Sequence, residues 1–215
     1  TCALPISNQI FEPAGWPYFK LYDMTHLPEG VIPDASPCSY YTVTDIWSRG
    51  KYGVMVYSTH GSEMGASEVI KVSLLRNIND RYPSMGFAAS CWTAKPETRR
   101  NLSYSMLING CIGICGSTRP SWYSPSQTNF NNSGSCEGQG FEFYERIVQG
   151  MSAGKALYEL KQQQQFSWWT NNKLLNLYGD PSILVLPLDR GDVNQDGRCD
   201  LDDLKMISDK WLLNF

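Results

Sequence analysis

Residues 52–63 read YGVMVYSTHGSE: a six-residue run of valine, methionine, tyrosine and one glycine, then an abrupt stop at Ser58-Thr59-His60-Gly61. A run this short is too brief for a helix and predicts a strand buried on both faces. Two more runs of the same kind follow, MGFAAS at 85–90, which ends at Cys91, and CIGICGS at 111–117. Just before the first, YYTVTDIWSRG at 40–50 predicts a short helix with Thr42 or Thr44 as its cap and Gly50 past its end. Residues 66–80 carry Val69, Ile70, Val72, Leu74, Leu75 and Ile78 and read as a helix or a mixed segment. Residues 97–110 read as a helix stopped by Asn109-Gly110. Apolar strands alternating with helical patterns mean an α/β fold with a largely parallel sheet.

Farther out the signals change. Residues 1–40, rich in proline, aromatics and turn residues, show no period and are expected to be an irregular lead-in, with His26 at its surface. The polar stretch at 120–140, PSWYSPSQTNFNNSGSCEGQG, is long for an ordinary connection, which favours a functional loop. From Phe141 to about Gln164 the pattern is helical, with Gly150 and Gly154 as interruptions. LLNLYGDPSILVLP at 174–187 predicts a Gly-Asp-Pro turn leading into an apolar strand. Beyond Asp189 the chain becomes acid-rich and then amphipathic. The expected division is therefore a lead-in at 1–40, a main domain at 41–188 and a small tail at 189–215.

A formal net charge of -3 over 215 residues gives no basis for binding nucleic acid or an anionic membrane surface. No apolar run reaches the ~18–20 residues that span a bilayer. The chain opens on Thr1 and is expected to be a piece of a longer protein. Its seven cysteines form no CxxC pair and it has two histidines, which argues against zinc. Cys111 and Cys115, four positions apart in one strand, are expected to share a face and fill core. Cys38 and Cys136 are a candidate pair in an oxidising compartment.

His60 and Cys91 each follow the end of an apolar strand, and the two strands are consecutive. In an open parallel sheet, functional groups gather beyond the carboxyl ends of the strands. A right-handed crossover makes such strands neighbours, with both side chains at one edge. A thiol must lose its proton to attack a carbonyl, and an imidazole can accept that proton or protonate a leaving amine. Gly61 lets a substrate approach the backbone, and the N–H groups of Gly61 and Cys91 are candidates to stabilise an oxyanion.

The ordered series GVMVYSTHGS, GFAASCWTA, INGCIGICGSTRPSWY and LNLYGDPSILVL resembles the gingipain-type cysteine peptidases, of the same clan as caspases and legumains. The resemblance runs over about residues 45–187 and implies a caspase-like three-layer sandwich around a mostly parallel sheet. It implies His60 as the catalytic histidine and Cys91 as the nucleophile, with the amides of Gly61 and Cys91 as the oxyanion hole. The GSTRPSWY segment is similar to a family loop that flanks the substrate pocket, which makes Trp122 a pocket candidate. The family's N-terminal half carries earlier strands and an acid that sets preference for basic side chains. On this resemblance the chain is expected to lack that half, and Glu12 is not assigned the acid's role.

The tail holds one more motif. DVNQDGRCDLDD at 192–203 places Asp192, Asn194, Asp196, the Arg198 carbonyl, Asp200 and Asp203 at the ligand offsets of a calcium loop, with Gly197 at its sharp turn. Aspartate at the twelfth position is shorter than the glutamate the EF-hand pattern asks for. Leu204, Ile207, Trp211 and Leu212 then outline an amphipathic helix. The segment resembles one half of a dockerin repeat, which implies calcium, a cohesin-like partner and a secreted or cell-surface bacterial protein. The whole reading is a secreted cysteine endopeptidase acting through a Cys-His dyad. Its rival is an inactive scaffold that uses the tail for attachment.

Overall fold

A computed structural model describes residues 6–22, 32–34, 38–50, 52–78, 82–124, 129–131, 133–164, 169–185 and 201–212. The chain divides into two compact units, Thr1–Val185 and Leu186–Phe215.

In the first unit four strands form one sheet: β1 (Val54–Ser58), β5 (Ser84–Ala89), β6 (Cys111–Ser117) and β7 (Leu175–Gly179), in that order. The β1–β5 and β5–β6 pairs are parallel, and β7 runs antiparallel to β6. A small antiparallel ribbon of β2 (Gly61–Ser62), β3 (Gly65–Ala66) and β4 (Ile70–Lys71) stands between β1 and β5 in sequence. With it goes a 3-10 helix at Val72–Asn77. The mixed reading of 66–80 is therefore resolved as ribbon plus 3-10 helix.

Helices cover both faces of the sheet, as an α/β sandwich requires. On one face lie α3 (Cys136–Val148) and α4 (Ala153–Gln163), packed on Met85, Phe87, Ala89 and Cys115. Phe87, Phe143 and Tyr144 form an aromatic knot there, with centroids 5.5 Å apart for Phe87–Phe143 and 5.2 Å for Phe143–Tyr144. Each such pair adds about 0.5–1.5 kcal/mol beyond the area it buries. The Tyr144 hydroxyl donates to the carbonyls of Met85 and Met55, tying α3 to two strands. Ile6, Ile10, Phe11 and Trp16, from the stretch without a sequence period, pack into this same core. The opposite face takes α1 (Tyr40–Arg49) through Trp47, α2 (Leu102–Leu107) through Leu102 and Met106, and the 3-10 helix through Leu75. A short α5 (Trp169–Leu174) leads into β7.

Strand β5 is buried at all six positions, as its continuous apolar run predicts for a central strand. Strand β1, at the end of the strand order, is only half-buried apart from Tyr57, so the expected burial on both faces does not extend to it.

Several local expectations are corrected. Helix α1 is capped by Ser39, whose hydroxyl accepts from the Thr42 N–H, and not by Thr42 or Thr44. Helix α3 starts at Cys136, five residues before Phe141, because Ser135 supplies a cap to the Gly138 N–H. Gly150, at φ +87°, does separate α3 from α4, whereas Gly154 lies inside α4. A strand, β7, precedes the Gly-Asp-Pro turn, and the described residues of the segment expected after it, 183–185, form none.

The two strand cysteines show why spacing alone misled. Ser84 pairs with Cys111 but Met85 pairs with Gly113, so β6 carries an extra residue at Ile112. That bulge reverses the alternation. Cys111 joins Ile114 and Leu102 on one face, and Cys115 joins Phe87 on the other. Both fill core, on opposite sides. Cys38 and Cys136 address different groups, the Glu68 carbonyl at 3.4 Å and the Glu137 carboxylate at 3.4 Å.

In the second unit, α6 (Leu201–Leu212) is described. Cys2, His26 and Cys199 lie outside the described residues. Among those described, no helix is long and apolar enough to cross a membrane.

Candidate active site

Register decides what meets at the sheet edge. Ser58 pairs with Ala89, so β1 and β5 end level with each other, and the Thr59 N–H still donates to the Ala89 carbonyl at 3.3 Å. His60 and Cys91 are each two residues past that last pair. The chain at His60-Gly61 then runs directly against Ser90-Cys91. A Cβ on Gly61 would stand 2.1 Å from Ser90 Oγ and 2.6 Å from the Cys91 carbonyl oxygen, so only glycine fits.

The loop after β6 touches both candidate residues. The Ser121 N–H donates to Cys91 Sγ at 3.3 Å, and the Cys91 thiol lies 3.4 Å from the Ser121 carbonyl. Two residues on, the Tyr123 ring stands edge-on to the His60 ring, centroids 6.3 Å apart. His60 is exposed and Cys91 half-buried. Among the described residues the Cys91 N–H meets no acceptor.

After Cys91 the backbone turns sharply. Trp92 adopts φ +55°, a left-handed conformation that costs a non-glycine residue about 1–3 kcal/mol. The turn is sewn to the end of β6: the Trp92 N–H donates to the Arg119 carbonyl at 3.3 Å and the Ala94 N–H to the Ser117 carbonyl at 3.0 Å. Lys95 closes it, pairing with Glu63 at 3.3 Å and lying over the Trp92 ring. The Glu63 carboxyl is held below its usual range by its own backbone hydrogen bond first and by Lys95 second.

Trp122 has a backbone held by hydrogen bonds and an exposed side chain. Asn171, 1% exposed, accepts from the Trp122 N–H at 2.9 Å and donates to the carbonyls of Trp122 at 2.8 Å and Gly134 at 2.9 Å. The indole is 60% exposed. With Tyr123 and Trp92, also exposed, it places three aromatic rings within two residues of a Cys91 contact or of Cys91 itself. Such rings suit extended peptide better than solvent.

Sequence reading brought together His60, Gly61 and Cys91, and missed Ser121, Tyr123, Asn171 and Glu137. Glu137 lies in the first turn of α3, 9% exposed, with Ser58 Oγ at 3.5 Å from its carboxylate. A carboxylate gains there from the helix N-terminus. Only the cap signal of Ser135 two residues earlier pointed to a helix start. Nothing in the sequence pairs Asn171 with a loop about fifty residues away.

Burial sets the other cysteines apart. Desolvation pushes the Cys111 thiol up to about 12 and the Cys115 thiol higher still. Both are unavailable as nucleophiles at neutral pH.

For the tail, Asp192, Asn194, Asp196, Arg198 and Asp200 lie outside the described residues. Asp203 is on α6, which begins at Leu201, the tenth position of the loop counted from Asp192. Among the described residues no group of three or more His, Cys, Asp or Glu is placed to hold a metal.

Comparison with known proteins agrees with the fold. No curated protein matches the chain. A crystal structure of the Arg-specific cysteine proteinase gingipain R (RgpB) matches with a TM-score of 0.55 at 14% identity, over 70% of this chain and 37% of that one. A complex of Porphyromonas gingivalis RgpB pro- and mature domains matches with a TM-score of 0.53 at 16% identity, over 70% and 38%. The chain therefore spans a little over a third of the length of these structures, and shares their α/β fold. The description of peptidase family C25 matches residues 8–186. That match takes in both strand tips and the β6 loop, and the chain belongs to peptidase family C25.

Proposed function

We propose that this chain contributes the catalytic residues of a secreted cysteine endopeptidase. The observation that carries the reading is the double contact of the β6 loop, with Ser121 on Cys91 and Tyr123 on His60. One loop thus contacts each of the two proposed catalytic side chains, beyond two strands that end level.

In this reading Cys91 passes its thiol proton to His60 and the thiolate attacks a peptide carbonyl. The new C–S bond forms as the carbonyl π electrons move to oxygen, and the N–H groups of Gly61 and Cys91 stabilise the oxyanion. The tetrahedral centre collapses, the C–N bond breaks, and His60 delivers a proton to the departing amine. Water deprotonated by His60 then hydrolyses the thioester and returns the Cys91 thiol. The Ser121 N–H donates to the sulfur at 3.3 Å and holds it beside the loop. Trp122 is assigned to the flank of the substrate pocket in the same reading.

The tail is proposed as a calcium-binding, dockerin-type unit held by Asp192, Asn194, Asp196, the Arg198 carbonyl, Asp200 and Asp203. Its all-oxygen donor set suits a hard cation, and the helix starting at the tenth position supports that reading. Millimolar calcium outside cells fills even a weak loop of this kind. A cohesin-like partner belongs to the same proposal.

One contact favours the rival, an inactive scaffold. The Cys91 thiol sits 3.4 Å from the Ser121 carbonyl, an acceptor for a neutral S–H. Alkylation separates the two. A peptidase predicts that iodoacetamide at pH 7–8 modifies Cys91 well before Cys111 or Cys115, and that Cys91→Ala abolishes cleavage with circular dichroism unchanged. Equal labelling, or cleavage by Cys91→Ala, rejects the dyad.

A further inference from the structure

His60 and Gly61 face a second neighbourhood. With Tyr40, Ser62, Ser67 and Lys71 they line an open depression of about 250 Å³. The first residue of α1 supplies Tyr40, and the β2–β4 segment supplies the others. On β4 the alternation of the strand sends Ile70 fully into the core and leaves Lys71 on the other side. Lys71 Nζ stands 4.6 Å from the Tyr40 ring centroid and 6.0 Å from that of Tyr41. Aromatic faces hold a cation in place without neutralising it. Among the described residues no carboxylate pairs with Lys71, and none lines the depression. The space beside the imidazole therefore offers one positive charge and a set of hydroxyls.

Resting on the peptidase reading above, we propose that this depression binds the part of the substrate that leaves as the amine, and that it selects a carboxylate there. The departing nitrogen must come within hydrogen-bond reach of His60 to receive its proton. The residues attached to that nitrogen then enter the space His60 lines. A carboxylate there meets the Lys71 ammonium and the hydroxyls of Tyr40 and Ser67, a charge-assisted arrangement. The carboxylate has two sources: an Asp or Glu side chain, or the free C-terminus of a short leaving segment.

The experiment uses the whole chain and peptide pools with mixed residues on the acyl side, in three forms. One pool carries Glu after the scissile bond and an amidated C-terminus. The second carries Gln there and a free C-terminus one residue later. The third carries Gln and an amide. Cleavage products are read by mass spectrometry at low and high salt. The expected result is about three- to tenfold faster cleavage of a carboxylate pool over the neutral pool, shrinking with salt. Which carboxylate pool leads identifies the source. Lys71→Ala brings the rates together, and Lys71→Glu inverts their order. Equal rates in the native chain, or a preference untouched by Lys71→Glu, overturn the subsite while leaving the peptidase reading intact. In parallel, the Glu-bearing leaving peptide is titrated into Cys91→Ser, which reads the depression without turnover. Binding that Lys71→Glu abolishes supports the subsite even if no pool is cleaved, an outcome that would count against the dyad alone. No binding together with no cleavage overturns both.

Discussion

Gly61 and Cys91 are held to one another by a gap too small for a methyl group. A Cβ at Gly61 meets the Ser90 hydroxyl at 2.1 Å and backbone at 2.6 Å, and backbone cannot rotate aside as the tip of a side chain does. Gly61→Ala is therefore expected to lower stability by about 1–3 kcal/mol, the usual cost of overpacking. It should also push the two strand tips apart and cut kcat/KM by more than the stability loss alone explains. Urea midpoints and steady-state kinetics on the same sample check this. A variant as stable and as active as the native chain would show that the tips do not need their contact. Ser90, whose Oγ is buried without a partner among the described residues, lines that same gap.

At the scale of elements, the β6 loop contacts both strand-end residues, Cys91 through Ser121 and His60 through Tyr123, and Asn171 of α5 fixes its backbone. Three hydrogen bonds from one buried amide hold Trp122 and Gly134. Removing a buried partner of this kind costs about 1–3 kcal/mol. Asn171→Ala should raise KM and lower kcat together, because Ser121 and Tyr123 on the same loop address sulfur and imidazole. Asn171→Asp keeps the acceptor for the Trp122 N–H but loses both donors, so it should fall between the two. If Asn171→Ala changes the melting temperature and not the kinetics, Asn171 is a structural residue only.

The strands, and the positions of His60 and Cys91 just past their ends, were legible because each signal was local: a short apolar run, then His-Gly or Ser-Cys. Parallel pairing of consecutive strands followed from the α/β alternation. The bulge at Ile112 was not legible, since one extra residue leaves the apolar pattern of CIGICGS unchanged while reversing which face each residue takes. The early start of α3 was hidden because Gly138 and Gly140 read as loop, although Ser135 caps the helix and Phe87 packs closely against Gly140. Asn171 was invisible because a long-range staple leaves no periodic trace.

The whole molecule joins a family C25 domain to a second unit of different composition. The proposed calcium loop contains Gly197, five Asp or Asn residues ahead of Asp203 at its end, and Trp211 follows on the helix. Calcium titration of the chain in chelator-treated buffer, followed by tryptophan fluorescence, should give a saturable change in the micromolar to millimolar range. Asp192→Ala or Asp203→Ala should move that midpoint upward at least tenfold, while magnesium at the same concentration substitutes poorly. A flat titration would remove calcium from the account and leave the strand-tip chemistry untouched.

The central claim is that Cys91 becomes acylated with His60 assisting departure of the amine. The most direct measurement is an acid-quenched digest of the enzyme mixed with a degenerate peptide pool, mapped by mass spectrometry for a thioester. An acyl adduct is expected on the peptide containing Cys91, reduced about 10²–10⁴-fold in His60→Ala. No adduct on Cys91, or one that forms equally fast without His60, contradicts it.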